Sequence, residues 1–534
     1  MQIIIPMSGI GRRFLDAGYQ VPKPLIEVDG MPIIGHVAGL FPGEHDFTFI
    51  CNNDHLRDTD MESVLRVVAP GCRIVGIPAH KKGPVFAVIQ ALDFVGDKEE
   101  VIVNYCDFSK AWDYAAFLRE VRGSSADGAV SAYRGFHPHM LYPTNYAFMR
   151  ADGPWMREIR EKQPFTGDRM SEYASDGTYY FRAGRLVKQY FRQLMQEDVH
   201  LNGEFYVSLV YNLLIRDGLK VRIHEIEHML QWGAPMDLRE YQEWSDYFRL
   251  VTAPVQCPRQ YPDTLNLIPM AGRGKRFVDE GYEDPKPLIN VNGKPMVVQA
   301  AHALPPGGAW VFVCLRDHLE RYPLAANLEG AFRAAKIVPL DAVTQGQACT
   351  CELGLEGCDP ERPLLIAASD NGVLCDWDKY HGLVIDDDVD CAVWTFRHHP
   401  ASAVNPKMYG WVRADAEGVI REVSVKVPIS DDPFNDHAVV GTFYFRKARF
   451  FLDAVKRMYA RDARVNNEFY VDMCINDILA MGLSARVFEV KRYICWGTPN
   501  DLKTYEYWRK FFHQCAWHPY RMENDMTRGG KNEA

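Results

Sequence analysis

The sequence predicts an α/β protein of two domains, each a mostly parallel mixed sheet flanked by helices, and three observations carry that reading. The chain repeats itself at a near-constant spacing, each copy alternates β-branched runs with helical stretches, and both copies open on a strand followed by a glycine-bearing loop. At 534 residues the chain is also too long for one core, since single cores stop growing near roughly 250–300 residues.

The repeat comes first because it organises everything else. Ile4-Ile5-Pro6-Met7-Ser8-Gly9-Ile10-Gly11-Arg12-Arg13-Phe14 returns as Leu267-Ile268-Pro269-Met270-Ala271-Gly272-Arg273-Gly274-Lys275-Arg276-Phe277, so that Arg13 maps on Arg276 at an offset of 263. The same offset pairs Pro22-Lys23-Pro24-Leu25-Ile26 with Pro285-Lys286-Pro287-Leu288-Ile289, and Asp107 with Asp370. After a short indel it becomes 264, pairing Glu204-Phe205-Tyr206-Val207 with Glu468-Phe469-Tyr470-Val471. Copies of this size are duplicated domains, not the roughly 20–50-residue units of a solenoid. The expected division is 1–251, a linker at 252–263 stiffened by Pro254, Pro258 and Pro262, a second domain at 264–514, and a flexible polar tail at 515–534.

Within a copy, Phe47–Cys51 and Val101–Tyr105 read as buried strands and Asp113–Arg122 as a helix. Continuous apolar strands separated by helices imply a sheet covered on both faces, with ligands at the carboxyl ends of its strands.

Composition narrows the function classes. The chain is 47% hydrophobic and 24% charged, with a net charge of -10 and a pI near 6.0, which leaves no basic excess to recruit nucleic acid or an anionic membrane. Its opening residues read as a strand, without the pattern of a secretion signal. No stretch reaches the roughly 18 apolar residues of a membrane span, and the 13 cysteines form no CxxC pairs. These features predict a cytoplasmic protein with reduced thiols.

The chemistry-bearing residues follow in chain order. Ser8, Gly9 and Gly11, with Ala271, Gly272 and Gly274, form loops whose backbone amides can cradle phosphate. Arg13 and Arg276, two residues past the second glycine, can grip phosphate oxygens bidentately. Prolines on both sides pin Lys23 and Lys286. Asp107 and Asp370 end apolar strands, where a carboxylate serves either a metal or a helix cap.

Together these motifs resemble the sugar-phosphate nucleotidyltransferases of the GT-A-like, Rossmann-like α/β class, and more narrowly those of capsule and other surface-polysaccharide pathways. The resemblance runs through Gln345-Gly346-Gln347-Ala348, Ser369-Asp370, Val425-Lys426-Val427 and Trp496-Gly497-Thr498-Pro499. It implies a tandem enzyme that condenses a nucleoside triphosphate with a phosphorylated small-molecule acceptor, releasing pyrophosphate. It also implies roles by position. Arg13, Lys23, Arg276 and Lys286 would hold the triphosphate, Asp107 and Asp370 would bind Mg²⁺, Gly83, Gln345 and Gly346 would contact the nucleotide, and Lys162 and Lys426 would neutralise the acceptor phosphate.

The pattern also departs from the family. A second metal-binding aspartate is expected before the Gly-Thr turn, where this chain has Gln231 and Cys495. Glu204 and Glu468 are the substitutes expected here, as metal ligands or as carboxylates facing a helix dipole. Two other readings stay open, a GT-A glycosyltransferase using Asp376-Trp377-Asp378 as its metal motif and a noncatalytic sensor of nucleotides or sugar phosphates. The base, the acceptor, the activity of each copy and the oligomeric state are left open by the sequence.

Overall fold

The computed structural model describes residues 1–143, 146–253 and 259–527. Pro254 and Pro258 of the expected linker, and Gly529 and Gly530 of the expected tail, lie outside the described residues. The chain divides into two compact units, the first holding Met1–Ser245 with Lys510–His518, the second holding Asp246–Arg509 and the chain from Pro519 on.

In the first unit the strand Gln2–Met7 is buried along its whole length, as expected of a strand with helices on both faces. It pairs in parallel with Asp46–Asn52 and Val101–Asn104, setting Ile4 opposite Thr48 and Val103. Arg73–Ile77 extends that parallel side. The other side is antiparallel in part. Tyr173–Phe181 runs against both Val101–Asn104 and Gly128–Tyr133, Val221–Glu225 lies parallel to Gly128–Tyr133, and the hairpin Ala147–Asp152 with Trp155–Glu161 completes nine strands. The sheet is therefore mixed, as expected, but only about half of its pairings are parallel where most were expected to be.

The second unit repeats this plan in its own nine-stranded sheet. Leu267 stands opposite Val311 and Ile366, the residues that match Thr48 and Val103. Two hydrophobic clusters share its strands by alternation, Leu267, Val311 and Val313 facing one and Ile268, Phe312 and Cys314 the other. Period-two alternation into apolar surroundings on both sides is what a doubly covered sheet requires.

The expected tail differs from observation. Residues 515–527 pack closely, with Tyr520, His518 and Asp525 buried. Tyr520 Oη donates to Asp525 at 2.8 Å and Asn292 Nδ2 donates to the same carboxylate at 3.1 Å. Aromatic anchors in this stretch outweigh its polar composition. Among the described residues no helix is long and apolar enough to cross a membrane.

Candidate active site

The glycine loop sits at the carboxyl end of the first strand in both units. Gly11 adopts φ 69° and Gly274 φ 61°, each as the residue before a one-turn helix, Arg12–Asp16 or Lys275–Asp279. That left-handed conformation is cheap for glycine and costly for residues with a Cβ. Pro-Lys-Pro forms only a 3₁₀ turn, Lys23–Leu25 or Lys286–Leu288, in keeping with prolines that block regular α-helix there.

The turn aims its lysine at the strand-end aspartate. Lys23 Nζ donates to Asp107 Oδ2 at 2.7 Å, and Lys286 Nζ pairs with Asp370 Oδ2 while also donating to the Gly497 carbonyl at 3.1 Å. Burial works against the Lys23 charge, but the Asp107 carboxylate prevails and the ammonium pKa rises. Asp107 reaches this position because the chain leaves Val101–Asn104 and enters Phe108–Ala111, which pairs with His228–Gln231. The Trp232 amide donates to its backbone carbonyl, as that of Trp496 does to Asp370.

Lys162 and Lys426 each follow the last residue of a strand, Trp155–Glu161 or Ile420–Val425, with φ of 57° and 63°. Two non-glycine residues held left-handed at matching positions are strained in the way that functional sites tolerate. Their ammonium groups differ, since Lys162 Nζ donates to Tyr206 Oη at 2.8 Å and Lys426 Nζ to the Met408 carbonyl at 2.9 Å. Burial lowers the Lys426 pKa.

Gly83 and Gly346 have a packing role that the sequence did not suggest. Phe205 N donates to the Lys82 carbonyl and Phe469 N to that of Gln345. A Cβ on Gly83 would fall 2.7 Å from Phe205 N, and one on Gly346 would strike Phe469 N. The repeated Glu-Phe-Tyr segment thus crosses directly over the loop. Glu204 and Glu468 on that segment are engaged by tyrosines two residues on, Tyr206 and Tyr470.

Several residues here were not anticipated. Burial raises the Asp237 carboxyl to about 7, with Arg13 opposing and Asp107 adding to the rise, which places Asp237 within the field of both predicted site residues. Its counterpart Asp501 keeps the same helix-start contact that Asp237 makes with the Ala234 backbone, accepting from Thr498 N at 3.0 Å and also from Thr498 Oγ1 at 2.7 Å. Beside Lys162 and Lys426 each unit sets one largely desolvated carboxyl, but on different elements. Glu161, on a strand, accepts from Ser208 Oγ at 2.6 Å. In the second unit Val425 takes the Glu161 position and Asp472, on a helix, the Ser208 position. Burial raises Glu161 to about 7 and Asp472 to about 6. Only the recurrence of Tyr206 as Tyr470 and of Asp237 as Asp501 was there to be seen in the repeat.

Among the described residues no group of three or more His, Cys, Asp or Glu side chains is arranged to hold a metal ion. One strand-end carboxylate per unit still suits Mg²⁺ shared with nucleotide phosphates, because that ion keeps several waters and binds through one or two carboxylates. Asp376 of the alternative metal motif is the N-cap of Trp377–Ile385, accepting from Lys379 N at 3.1 Å.

Residues 3–163 match the family model of the MobA-like NTP transferase domain. No curated protein matches the chain. Among solved structures, it is similar to a nucleoside-diphosphate-sugar pyrophosphorylase from Vibrio cholerae, with 22% identity over 46% of this chain and 100% of that one and a TM-score of 0.37. It is similar also to the inositol-1-phosphate CTP transferase from T. maritima, with 15% identity, 48% and 98% coverage and a TM-score of 0.36. A UDP-glucose pyrophosphorylase from Acinetobacter baumanii gives 16% identity, 44% and 90% coverage and a TM-score of 0.35.

Proposed function

We propose that the chain is a tandem nucleotidyltransferase, each unit joining a nucleoside triphosphate to a phosphorylated small molecule such as a sugar 1-phosphate, with release of pyrophosphate. The observation that carries this reading is the lysine–aspartate pair placed beside a left-handed glycine loop twice in one chain. The match of residues 3–163 to an NTP transferase model supports it for the first unit. The motif resemblance supports a role in surface-polysaccharide synthesis.

In this reading Arg13 or Arg276 holds the β- and γ-phosphates, and Lys23 or Lys286 exchanges its carboxylate partner for the α-phosphate. Asp107 or Asp370, freed of its lysine, would hold Mg²⁺, which when bound neutralises charge on the phosphate oxygens. Lys162 or Lys426 orients the acceptor. An acceptor phosphate oxygen attacks the α-phosphorus in line, a new P–O bond forms, and the bond to the β-phosphate bridging oxygen breaks with its electron pair leaving on pyrophosphate. Positioning and charge neutralisation suffice, so no protein nucleophile is required.

The test is Mg²⁺-dependent pyrophosphate release over a grid of nucleoside triphosphates and phosphorylated acceptors, with wild type, Lys23→Ala, Lys286→Ala and the double variant. Each single change should lower the activity of its own unit by roughly 10²–10³, and the double variant should abolish release. Nucleotide binding without pyrophosphate release from any pair would replace this reading with that of a sensor.

A further inference from the structure

The two glycine loops differ chemically at their first residue. Ser8, buried at the end of the strand Gln2–Met7, shares a hydrogen bond of 3.0 Å between its Oγ and His80 Nε2. The other ring nitrogen, Nδ1, accepts from the Lys82 amide at 3.2 Å. An imidazole that accepts at Nδ1 carries its proton on Nε2, so Nε2–H donates to Ser8 and the serine hydroxyl keeps its own proton to donate elsewhere. Burial and the Lys82 charge lower the His80 pKa, which keeps the ring neutral at pH 7. The Phe86 ring meets His80 edge-on at 4.8 Å and fixes its plane. The matching residues of the second unit are Ala271 and Val343, and half of the Val343 surface is exposed. One loop therefore presents an oriented hydroxyl donor where the other presents only methyl groups.

We propose that Ser8 and His80 form a base-reading pair confined to the first unit, the serine hydroxyl donating to a carbonyl oxygen or ring nitrogen on the edge of the nucleobase. The two units then prefer different nucleoside triphosphates, the second choosing by shape against Ala271 and Val343. This rests on the nucleotidyltransferase reading. His80 touches no ligand in this scheme and is a positioning residue. One neutral hydrogen bond sets a modest discrimination, about 3–10-fold between bases that can and cannot accept it.

The experiment is calorimetric titration of the full chain with ATP, CTP, GTP and UTP in turn, with Mg²⁺ and no acceptor, in a Lys286→Ala background that weakens the second site. Ser8→Ala copies a residue this fold already carries at the matching position, so its folding is safe. The expected result is a 3–10-fold weaker affinity for one or two of the four nucleotides and less than twofold change for the rest, with His80→Val showing the same profile. In a Lys23→Ala background, Ala271→Ser with Val343→His should move the second unit toward that profile. An equal loss for all four would assign the hydroxyl to the shared phosphates and overturn the pair's role, as would no change at all. Failure of the wild-type chain to bind any of the four overturns the nucleotide reading, and the pair falls with it.

Discussion

The first unit buries an ion pair where the second buries two valines. Lys110 Nζ donates to Asp176 Oδ2 at 2.8 Å, Thr178 Oγ1 at 2.7 Å and Ser131 Oγ at 3.1 Å, and lies 3.5 Å from the centre of a Trp112 ring. Both charged side chains are fully buried. The matching positions are Val373 and Val440, in a hydrophobic cluster that also holds Trp394 at the Ser131 position. One sheet thus accepts either solution at the same place. Burying two charges costs solvation that their attraction offsets only when every donor finds an acceptor, and the ammonium here has three. Burial nonetheless pulls the Lys110 pKa down to about 8. The second unit shows that the fold does not need the pair. What the fold needs is that both partners change together.

Asp176→Val strands the Lys110 ammonium in the core and should cost about 3–5 kcal/mol in urea unfolding. Lys110→Val with Asp176→Val should restore stability or exceed wild type by up to about 4 kcal/mol. A double variant as unstable as the single would mean that the ion pair is required by its surroundings after all.

The crossing of Glu-Phe-Tyr over the glycine loop is where the units agree. Gly83→Ala and Gly346→Ala should each cost on the order of 2–3 kcal/mol, from left-handed strain and displaced backbone, measured as loss of thermal stability in the affected unit. A cost in one unit only would show that the crossing is not equivalent in the two.

The exchanged carboxyls give the smallest effect. Glu161 and Asp472 have folded pKa values raised by burial to about 7 and about 6. Each therefore holds a proton in the folded chain that the unfolded chain has released. Stability is highest below the ordinary carboxylate range and falls as pH rises toward the folded value. Between pH 6 and 7 the Glu161 decline is still running while that of Asp472 is fading. Glu161→Gln should flatten the slope of thermal midpoint against pH in that window, while Asp472→Asn should change it mainly at lower pH. Equal slopes for both variants would show that the two carboxyls do not differ in this way.

The glycine loop, Pro-Lys-Pro and the strand-end aspartate were legible because each is a short local pattern that recurs at one offset. Duplication turned individually weak signals into a pattern. A mixed sheet was legible but the extent of its antiparallel half was not, because antiparallel Tyr173–Phe181 is as apolar as a parallel strand buried on both faces. The packed chain through Thr527 was hidden by its polar composition, its order coming from a few buried rings. Glu161 and His80 were invisible to the repeat, since neither recurs in the second copy.

The internal repeat, the α/β alternation and the residues expected to face phosphate can all be read from near neighbours and regular spacing. Which of these residues meet depends on the folded chain. Lys23 lies 84 residues from Asp107, and Ser8 lies 72 from His80. Asp237 comes into the field of Arg13 only once the chain has folded back, and Glu161 and Asp472 are revealed as alternatives only when strand and helix are laid together. Such meetings depend on strand order and register, which are set by packing across the whole unit and leave no trace in a local window of residues.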